Sequence, residues 1–268
     1  MNLSTDNLGR LLLLAAHPDD ETIGCAVLLQ RCAGALVVFA VDGAPPHYGF
    51  EKKFGSLRNY SELRFQEASR ALARVGHVSF RRLQREDGRF FLDQHLFLEL
   101  REGFAGLKRI TSDFCPDVVV SHALEGGHID HDACHVLARR LADEFGLPGL
   151  EFPLYWRSDD GKDVLRQFRG HADQECVLQL SHQELLVKQQ MIEQYQTQQG
   201  LTQVFPLDPE RFRPMARAGV EKPRWSGYPF ENRRRFLKTE AFLRKASEFE
   251  ETFARQYEPQ NASRIWCK

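Results

Sequence analysis

Apolar residues up to residue 156 are concentrated in short segments of strand length. These segments cover residues 11–16, 35–41, 78–83, 117–121 and 150–156. The three successive valines within 117–121 are typical of a strand that is buried on both faces of a sheet. Between these segments, apolar residues recur with helical spacing at residues 21–32, 58–75, 96–110 and 133–145. The alternation predicts an α/β fold with a Rossmann-like, mostly parallel sheet and helices on both faces.

Beyond residue 145 the pattern is less regular. It predicts an additional antiparallel edge strand within 174–180, a helix at 182–198 and a closing amphipathic helix at 239–257. Earlier in the chain, residues 49–55 are predicted to form a polar loop. We therefore divide the chain into a core, residues 1–200, and a C-terminal addition packed on the same domain. This addition, residues 201–268, consists of an irregular segment and the closing helix.

A polar cluster directly follows the first predicted strand, with His17, Pro18, Asp19, Asp20 and Glu21 in succession. Proline followed by three acids is typical of a helix start, where acids cap the helix and complement its dipole without any further function. Capping does not require a histidine beside two carboxylates, however. Imidazole and carboxylate groups are the usual non-thiol ligands of zinc, and a carboxylate that is not a ligand can serve as a general base. This cluster alone is compatible with both interpretations, a helix cap and a metal site.

A second polar cluster, Glu-Gly-Gly-His-Ile-Asp-His-Asp at residues 125–132, follows the predicted strand 117–121. In a doubly wound sheet, the turns after two neighbouring strands at the point of reversal face one crevice. This arrangement brings four side chains within reach of one ion: His17, Asp20, His128 and His131. The alternative, two unrelated helix caps, requires both caps to carry histidine and aspartate by coincidence. The sequence therefore predicts a shared metal site at the carboxyl edge of the sheet.

Residues 16–21, Ala-His-Pro-Asp-Asp-Glu, and residues 128–131, His-Ile-Asp-His, resemble the two signature blocks of a known family. This is the PIG-L/LmbE-like family of zinc-dependent N-acetylglucosaminyl deacetylases. Weaker similarity extends the resemblance over residues 11–198. A family member of this kind is expected to have the LmbE-like α/β fold and one catalytic zinc ion, with Fe²⁺ as an alternative metal.

The resemblance also assigns roles that the spacing leaves open. It implies three metal ligands, His17, Asp20 and His131, which leave a fourth position for water, as in catalytic zinc sites. Asp19 is implied as the general base. His128 is implied to stabilise the oxyanion or to protonate the leaving amine. Asp130 is expected to orient His128 and to keep it charged by raising its pKa.

Two further residues are implied to contact sugar hydroxyls, Arg64 on the second long helix and Asp87 after the third strand. Each has an ordinary alternative, because Arg64 and Glu67 form a common helix-surface pair and an aspartate before glycine is a common turn residue. The sequence also departs from the family pattern. Some members have a tyrosine two residues before the first histidine of the second block, and this chain has Gly126 there.

The resemblance implies hydrolysis of the N-acetyl group of an N-acetylglucosaminyl conjugate, in which zinc activates water, Asp19 takes the proton and acetate leaves. Two alternatives stay open. The same metal site suits an amidase or deacylase that acts on a different amide. The other alternative is a metal-containing carbohydrate-binding protein without catalysis, although binding alone does not require a general base such as Asp19.

Residues 205–236 combine prolines with arginines and a few aromatic residues. Three interpretations stay open for this segment: a surface wrap, a lid whose arginines bind an anionic aglycone, or a contact between subunits. Stacking on a sugar and packing on another subunit are equally compatible with the aromatic residues near Arg224, namely Trp225, Tyr228 and Phe230.

Charge and cysteine content limit the remaining possibilities. The 36 Lys and Arg residues nearly balance the 37 Asp and Glu residues, so no overall field attracts nucleic acid or an anionic membrane. The first apolar run is too short to span a membrane, and no basic leader precedes it. Six scattered cysteines without a Cys-x-x-Cys pair are expected to be reduced and are not assigned to a metal. We expect a cytoplasmic protein with a small glycoconjugate substrate; a homo-oligomer stays open.

Overall fold

The computed structural model describes residues 8–46, 48–170, 174–215 and 239–254. Most of the proline- and arginine-rich segment lies outside the described residues, including Arg224 and its aromatic neighbours Trp225, Tyr228 and Phe230. The last three residues of the predicted helix 239–257 and Cys267 also lie outside them.

The strands of the described chain are β1 (Arg10–Ala15), β2 (Gly34–Phe39), β3 (Val78–Arg82), β4 (Val118–His122), β5 (Gly149–Phe152), β6 (Tyr155–Arg157), β7 (Asp163–Leu165), β8 (Cys176–Leu178) and β9 (Glu210–Pro214). The α-helices are α1 (Asp20–Arg31), α2 (Phe50–Phe54), α3 (Leu57–Leu72), α4 (Leu100–Phe114), α5 (Ile129–Phe145), α6 (His182–Ile192), α7 (Gln199–Thr202) and α8 (Thr239–Ala254). Short 3-10 helices precede α4 and α7, at Leu96–Leu98 and Gln196–Gln198.

The main sheet has the strand order β3-β2-β1-β4-β5-β9-β8. The strands from β3 to β5 are parallel, and β9 and β8 add an antiparallel edge. The structure thus confirms the predicted mostly parallel sheet, including an antiparallel edge strand within 174–180. The direction of winding reverses between β1 and β4, so the loops after these two strands meet at the carboxyl edge of the sheet.

Helices cover both faces of the sheet, which explains why β1 is apolar throughout. Leu12 and Leu14 pack into a core with residues of α4, α5 and α8. Leu11 and Leu13 pack into a second core with residues of α1, α3 and α6. Because successive strand residues point to opposite faces, a strand between two cores needs apolar side chains at every position.

Several predicted boundaries are wrong. The predicted strand 150–156 is divided into β5 and β6 at Pro153, which lacks the N–H that a strand ladder needs. The predicted loop 49–55 contains the short helix α2, and the predicted helix 182–198 ends at Ile192. The segment predicted to be irregular contributes β9, which lies between β5 and β8 inside the sheet.

A buried ion pair anchors β9 to the rest of the fold. The Lys188 Nζ atom of α6 lies 2.7 Å from Glu210 Oε1 of β9, and both side chains are fully buried. The Glu210 carboxylate also accepts hydrogen bonds from the backbone N–H groups of Val27 and Leu28 in α1. Lys188 in turn donates to the carbonyl oxygen of Ile23. These bonds connect three elements under the loop that follows β1.

We predict that Lys188→Met lowers the free energy of unfolding by about 3–5 kcal/mol, because it leaves the Glu210 carboxylate buried without its cation. Urea unfolding at neutral pH measures this effect. The control is Lys245→Met, which removes a pair with Glu248 whose side chains are 35% and 49% exposed. This control is expected to change stability by less than about 1 kcal/mol. Equal effects of the two substitutions would contradict the anchoring role.

In the part of the chain that the structure describes, no helix combines the length and the apolar character needed to cross a membrane.

Candidate active site

The two polar clusters predicted from the sequence meet at the reversal point of the sheet. Asp20, the first residue of α1, lies between histidines from both loops. Its Oδ2 atom is 3.3 Å from His17 Nδ1, and its Oδ1 atom is 3.4 Å from His131 Nε2. The exposed fractions of all three residues are below 10%. The loop after β1 and the start of α5 therefore converge on one carboxylate.

The two ring nitrogens of His17 face different groups. Whereas Nδ1 faces Asp20, Nε2 lies 3.5 Å from Oδ2 of both Asp93 and Asp130. Burial lowers the pKa of His17, but Asp93, Asp130 and Asp20 outweigh it and raise the pKa well above its usual value. A metal-binding histidine commonly donates its second N–H to a carboxylate, which orients the ring. This arrangement suits a cation on the Nδ1 side of the ring, next to Asp20.

A third histidine, His122 at the end of β4, belongs to the same cluster. Its ring stacks on His131 with 4.1 Å between the ring centres, and its Nε2 atom lies 3.4 Å from Asp20 Oδ2. The same Nε2 atom accepts a hydrogen bond of 3.0 Å from the backbone N–H of Ala16. Because this bond uses the lone pair that a metal would need, His122 is less suited than His131 to be a ligand. Burial lowers the pKa of His131 to about 3, which keeps its imidazole in the neutral, metal-binding form.

The donor atoms of the cluster fit a divalent cation. Three groups have ligand atoms within 4.8 Å of one another: His17 with His128 and His131; Asp20 with His122 and His131; and His17 with Asp93, His128 and Asp130. Two carboxylate oxygens beside His17, Asp93 Oδ1 and Asp130 Oδ1, are buried without a hydrogen-bond partner. Unpaired buried polar atoms are costly, and a bound cation at such a cluster offsets part of that cost. Imidazole nitrogens with carboxylate oxygens are a typical ligand set for zinc.

Asp19 does not act as the helix cap that the sequence also allowed. It precedes α1 with φ of 134°, a strained conformation for a residue other than glycine, and its side chain makes no capping hydrogen bond. Instead, its Oδ2 atom accepts a 3.1 Å hydrogen bond from the guanidinium of Arg64. Burial raises the pKa of Asp19 to about 8, opposed by Arg64 and reinforced by Asp20. A strained backbone therefore holds a basic carboxylate beside the cluster.

His128 is the N-cap residue of α5, and its Nδ1 atom accepts the backbone N–H of Asp130 at 3.2 Å. Burial, together with His17 and His131, lowers the pKa of His128 well below its usual value. The Asp130 carboxylate raises the pKa of His128, in the expected direction, but burial and the two neighbouring histidines outweigh it. That carboxylate accepts the N–H of Gln94 at 2.6 Å and faces His17 instead. The backbone N–H of Asp130 holds the His128 ring through Nδ1.

The two residues implied to bind sugar hydroxyls occupy different places. Arg64 is buried beside the cluster, where it donates to Asp19 and to the carbonyl oxygens of Pro18 and Gly43. The structure does not bring Asp87 to the cluster, because its exposed side chain pairs with Arg89. Asp93, in the loop that follows β3, points to His17 instead.

Sequence reasoning missed His122 and Asp93. His122 ends its strand just as His17 follows β1, so its place after an apolar run was a usable signal. Asp93 offered no such signal, because only the fold of the loop after β3 distinguishes it from Asp87.

A cavity of about 400 Å³ opens above the cluster. Its polar floor contains His17, Asp19, Asp20, Arg64, Asp93, His128 and His131. Its remaining wall comes largely from the hairpin of β6 and β7 and from the segment around α7. The volume is within the range of small-molecule sites.

Tyr155 lines this cavity near the second polar cluster. Its ring is 5.4 Å from that of His131. The hairpin approaches because Gly127 has no side chain: a Cβ atom there would lie 1.8 Å from the Tyr155 carbonyl oxygen. The second glycine of the motif thus allows β6 to place an aromatic phenol beside the cluster.

Comparisons with known proteins agree with this architecture. Residues 12–142 match the model of the PIG-L family, described as GlcNAc-PI de-N-acetylase. A deacetylase of teicoplanin biosynthesis has a similar structure, with a TM-score of 0.59 and 20% identity over 79% of this chain and 100% of that chain. The zinc-inhibited form of teicoplanin deacetylase matches with a TM-score of 0.56 and 19% identity over the same shares. N,N'-diacetylchitobiose deacetylase from Pyrococcus horikoshii matches with a TM-score of 0.52 and 15% identity over 81% and 87%. No curated protein matches the sequence.

Proposed function

The chain carries a PIG-L family domain at residues 12–142, and on that premise we propose that it is a metal-dependent N-deacetylase. Its substrate is the acetamide of an N-acetylglucosaminyl conjugate, and its products are acetate and a free amine. One observation carries the proposal. His17 and Asp20 after β1 meet His131 of α5 at the reversal of the sheet, beside a strained Asp19 that is not needed as a cap.

We propose that His17, Asp20 and His131 bind the cation. His17 would bind it through Nδ1 and His131 through Nε2. When bound, a divalent cation would supply Lewis-acid chemistry, activating water and polarising the amide carbonyl. The contacts of Asp93 and Asp130 with the other nitrogen of His17 support this choice of ligands. Teicoplanin deacetylase, which has a similar fold, is known in a zinc-inhibited form, and this supports zinc as the first ion to test. Fe²⁺ is the second.

Asp19 acts as the proton carrier of the reaction. Its carboxylate takes the proton of the attacking water as the C–O bond forms. Arg64 fixes the orientation of that carboxylate through Oδ2. When the amide C–N bond breaks, the same carboxyl group gives the proton to the departing nitrogen, so that a neutral amine leaves. Burial raises the pKa of Asp19, which makes its carboxylate a stronger base than a solvent-exposed aspartate.

His128 acts as a neutral hydrogen-bond donor. Because its Nδ1 atom accepts the N–H of Asp130, the proton of the neutral ring is on Nε2. The ring lies at the edge of His17, with 4.6 Å between ring centres, and lines the cavity. The Nε2–H group stabilises the oxyanion that forms on the acetyl carbonyl. The lowered pKa of His128 makes oxyanion stabilisation the better of the two roles that the resemblance implied.

The test measures the release of acetate and free amine from a set of N-acetylglucosaminyl conjugates. The chain is first treated with a chelator and is then reloaded with zinc or, separately, with Fe²⁺. We expect turnover with zinc, and none after chelation alone. Matched N-butyryl conjugates distinguish the alternative of a deacylase for other amides, because a preference for the longer acyl group favours that alternative. The absence of amide cleavage with either metal and every substrate would contradict the proposal.

A further inference from the structure

The cavity above the proposed site has an apolar part that deacetylation itself does not require. Its wall includes Leu154, Leu165, Leu201, Val204 and Phe205. Tyr155 connects this wall to the polar floor, because its ring is 5.4 Å from that of His131 and 6.1 Å from that of Phe205. A group attached to a sugar at the polar floor therefore continues along apolar side chains.

The outer edge of this wall is exposed apolar surface. Leu201 of α7 and Val204 are 49% and 57% exposed. Among the described residues, seven large apolar side chains are exposed, and three of them, Tyr48, Leu201 and Val204, line this cavity. Exposed apolar side chains are common when scattered singly, whereas a group of them at the mouth of a cavity is typical of a ligand-binding surface.

Among the described residues, the two arginines that line the cavity are already paired. Arg157 of β6 donates to Asp163 of β7 at 2.9 Å, and Arg64 donates to Asp19 and to the carbonyl oxygens of Pro18 and Gly43. A phosphate or carboxylate at this wall would have to share these guanidinium groups with Asp163 or Asp19, which reduces the benefit of binding an anion there. The described wall therefore favours an uncharged group.

We infer that the substrate carries an uncharged apolar aglycone, and that Leu201 and Val204 bind it at the mouth of the cavity. This inference rests on the proposed deacetylase function and specifies its substrate class. Burying methylene groups against the wall removes them from water, so that affinity and kcat/KM increase with the length of the aglycone. The same two residues then distinguish this substrate class from sugars with small or charged aglycones.

Acetate release from octyl and methyl N-acetyl-β-glucosaminide, measured as kcat/KM with the zinc-loaded full chain, tests the inference. We expect the native chain to prefer the octyl compound at least about tenfold. Leu201→Asp combined with Val204→Asp should reduce the ratio of the two kcat/KM values to about one. Leu201→Ala, which introduces no charge, should reduce it partly. The matched control is Leu98→Asp, because Leu98 is also 49% exposed but lies outside the cavity. The octyl-to-methyl ratio of kcat/KM in this variant should equal that of the native chain.

Three outcomes would overturn the inference: equal kcat/KM values for the two compounds with the native chain, a native-like ratio in the double variant, or faster turnover of N-acetylglucosamine 1-phosphate than of the methyl compound. Circular dichroism and thermal unfolding establish that each variant is folded. The experiment distinguishes a failure of this inference from a failure of the deacetylase proposal. If the deacetylase proposal is wrong, the native chain releases acetate from none of the three compounds.

Discussion

Replacing Asp19 with asparagine is expected to reduce kcat for acetate release about 10²–10⁴-fold while the chain retains its bound metal. Asparagine preserves the size of the side chain and tolerates the positive φ of this position better than most residues do. It cannot, however, take a proton from water. Steady-state kinetics together with metal analysis of the purified variant measure the two effects separately.

The matched control is Asp87→Asn, which removes an exposed carboxylate that pairs with Arg89 outside the cavity. Its kcat and its metal content should equal those of the native chain. A fully active Asp19→Asn variant would remove Asp19 from the mechanism. A large loss in Asp87→Asn would restore the role that the sequence suggested for Asp87.

Replacing His131 with asparagine is expected to remove the bound metal. As a consequence, the rate of acetate release should fall about 10³-fold or more. The reason is geometric: His131 Nε2 faces Asp20, whereas the corresponding nitrogen of His122 already accepts a backbone N–H. Inductively coupled plasma mass spectrometry of the desalted variant gives the metal content, and acetate release gives the activity.

His122→Asn is the control that distinguishes the two stacked histidines. His122 uses its Nε2 lone pair for the Ala16 N–H, so its replacement should leave metal content close to that of the native chain. His122→Gln is the second replacement to test, because a glutamine oxygen reaches about as far as Nε2 and can accept the same N–H, which keeps the loop after β1 in place. If His122→Asn loses the metal and His131→Asn keeps it, the ligand set is Asp20 with His122, and His131 is not a ligand.

The sequence was sufficient to predict the parallel part of the sheet and the meeting of the two loops, for a physical reason. β1 lies between two cores, so its buried positions form a continuous apolar run of strand length. Once β1 and β4 are neighbours in a parallel sheet, the residues after them must share one edge. The positions of His17, Asp20 and His131 therefore follow from strand pattern and connectivity.

Other features depend on contacts between distant residues and have no local signal. β9 was missed because Glu210 is a charged strand residue that is buried only through its pairing with Lys188 and the N–H groups of α1. The lowered pKa of His128 results from burial and from the neighbouring His17 and His131, which outweigh the aspartate two positions later. Asp93 reaches His17 only because of the path of the loop after β3.

Crystals of the full chain soaked with zinc, with diffraction data collected on both sides of the zinc absorption edge, test the central claim most directly. We predict one anomalous peak bound by His17, Asp20 and His131, with Asp19 beside it and not bonded to it. A peak held by Asp93, His128 and Asp130, or the absence of any peak between the loops after β1 and β4, would contradict this assignment.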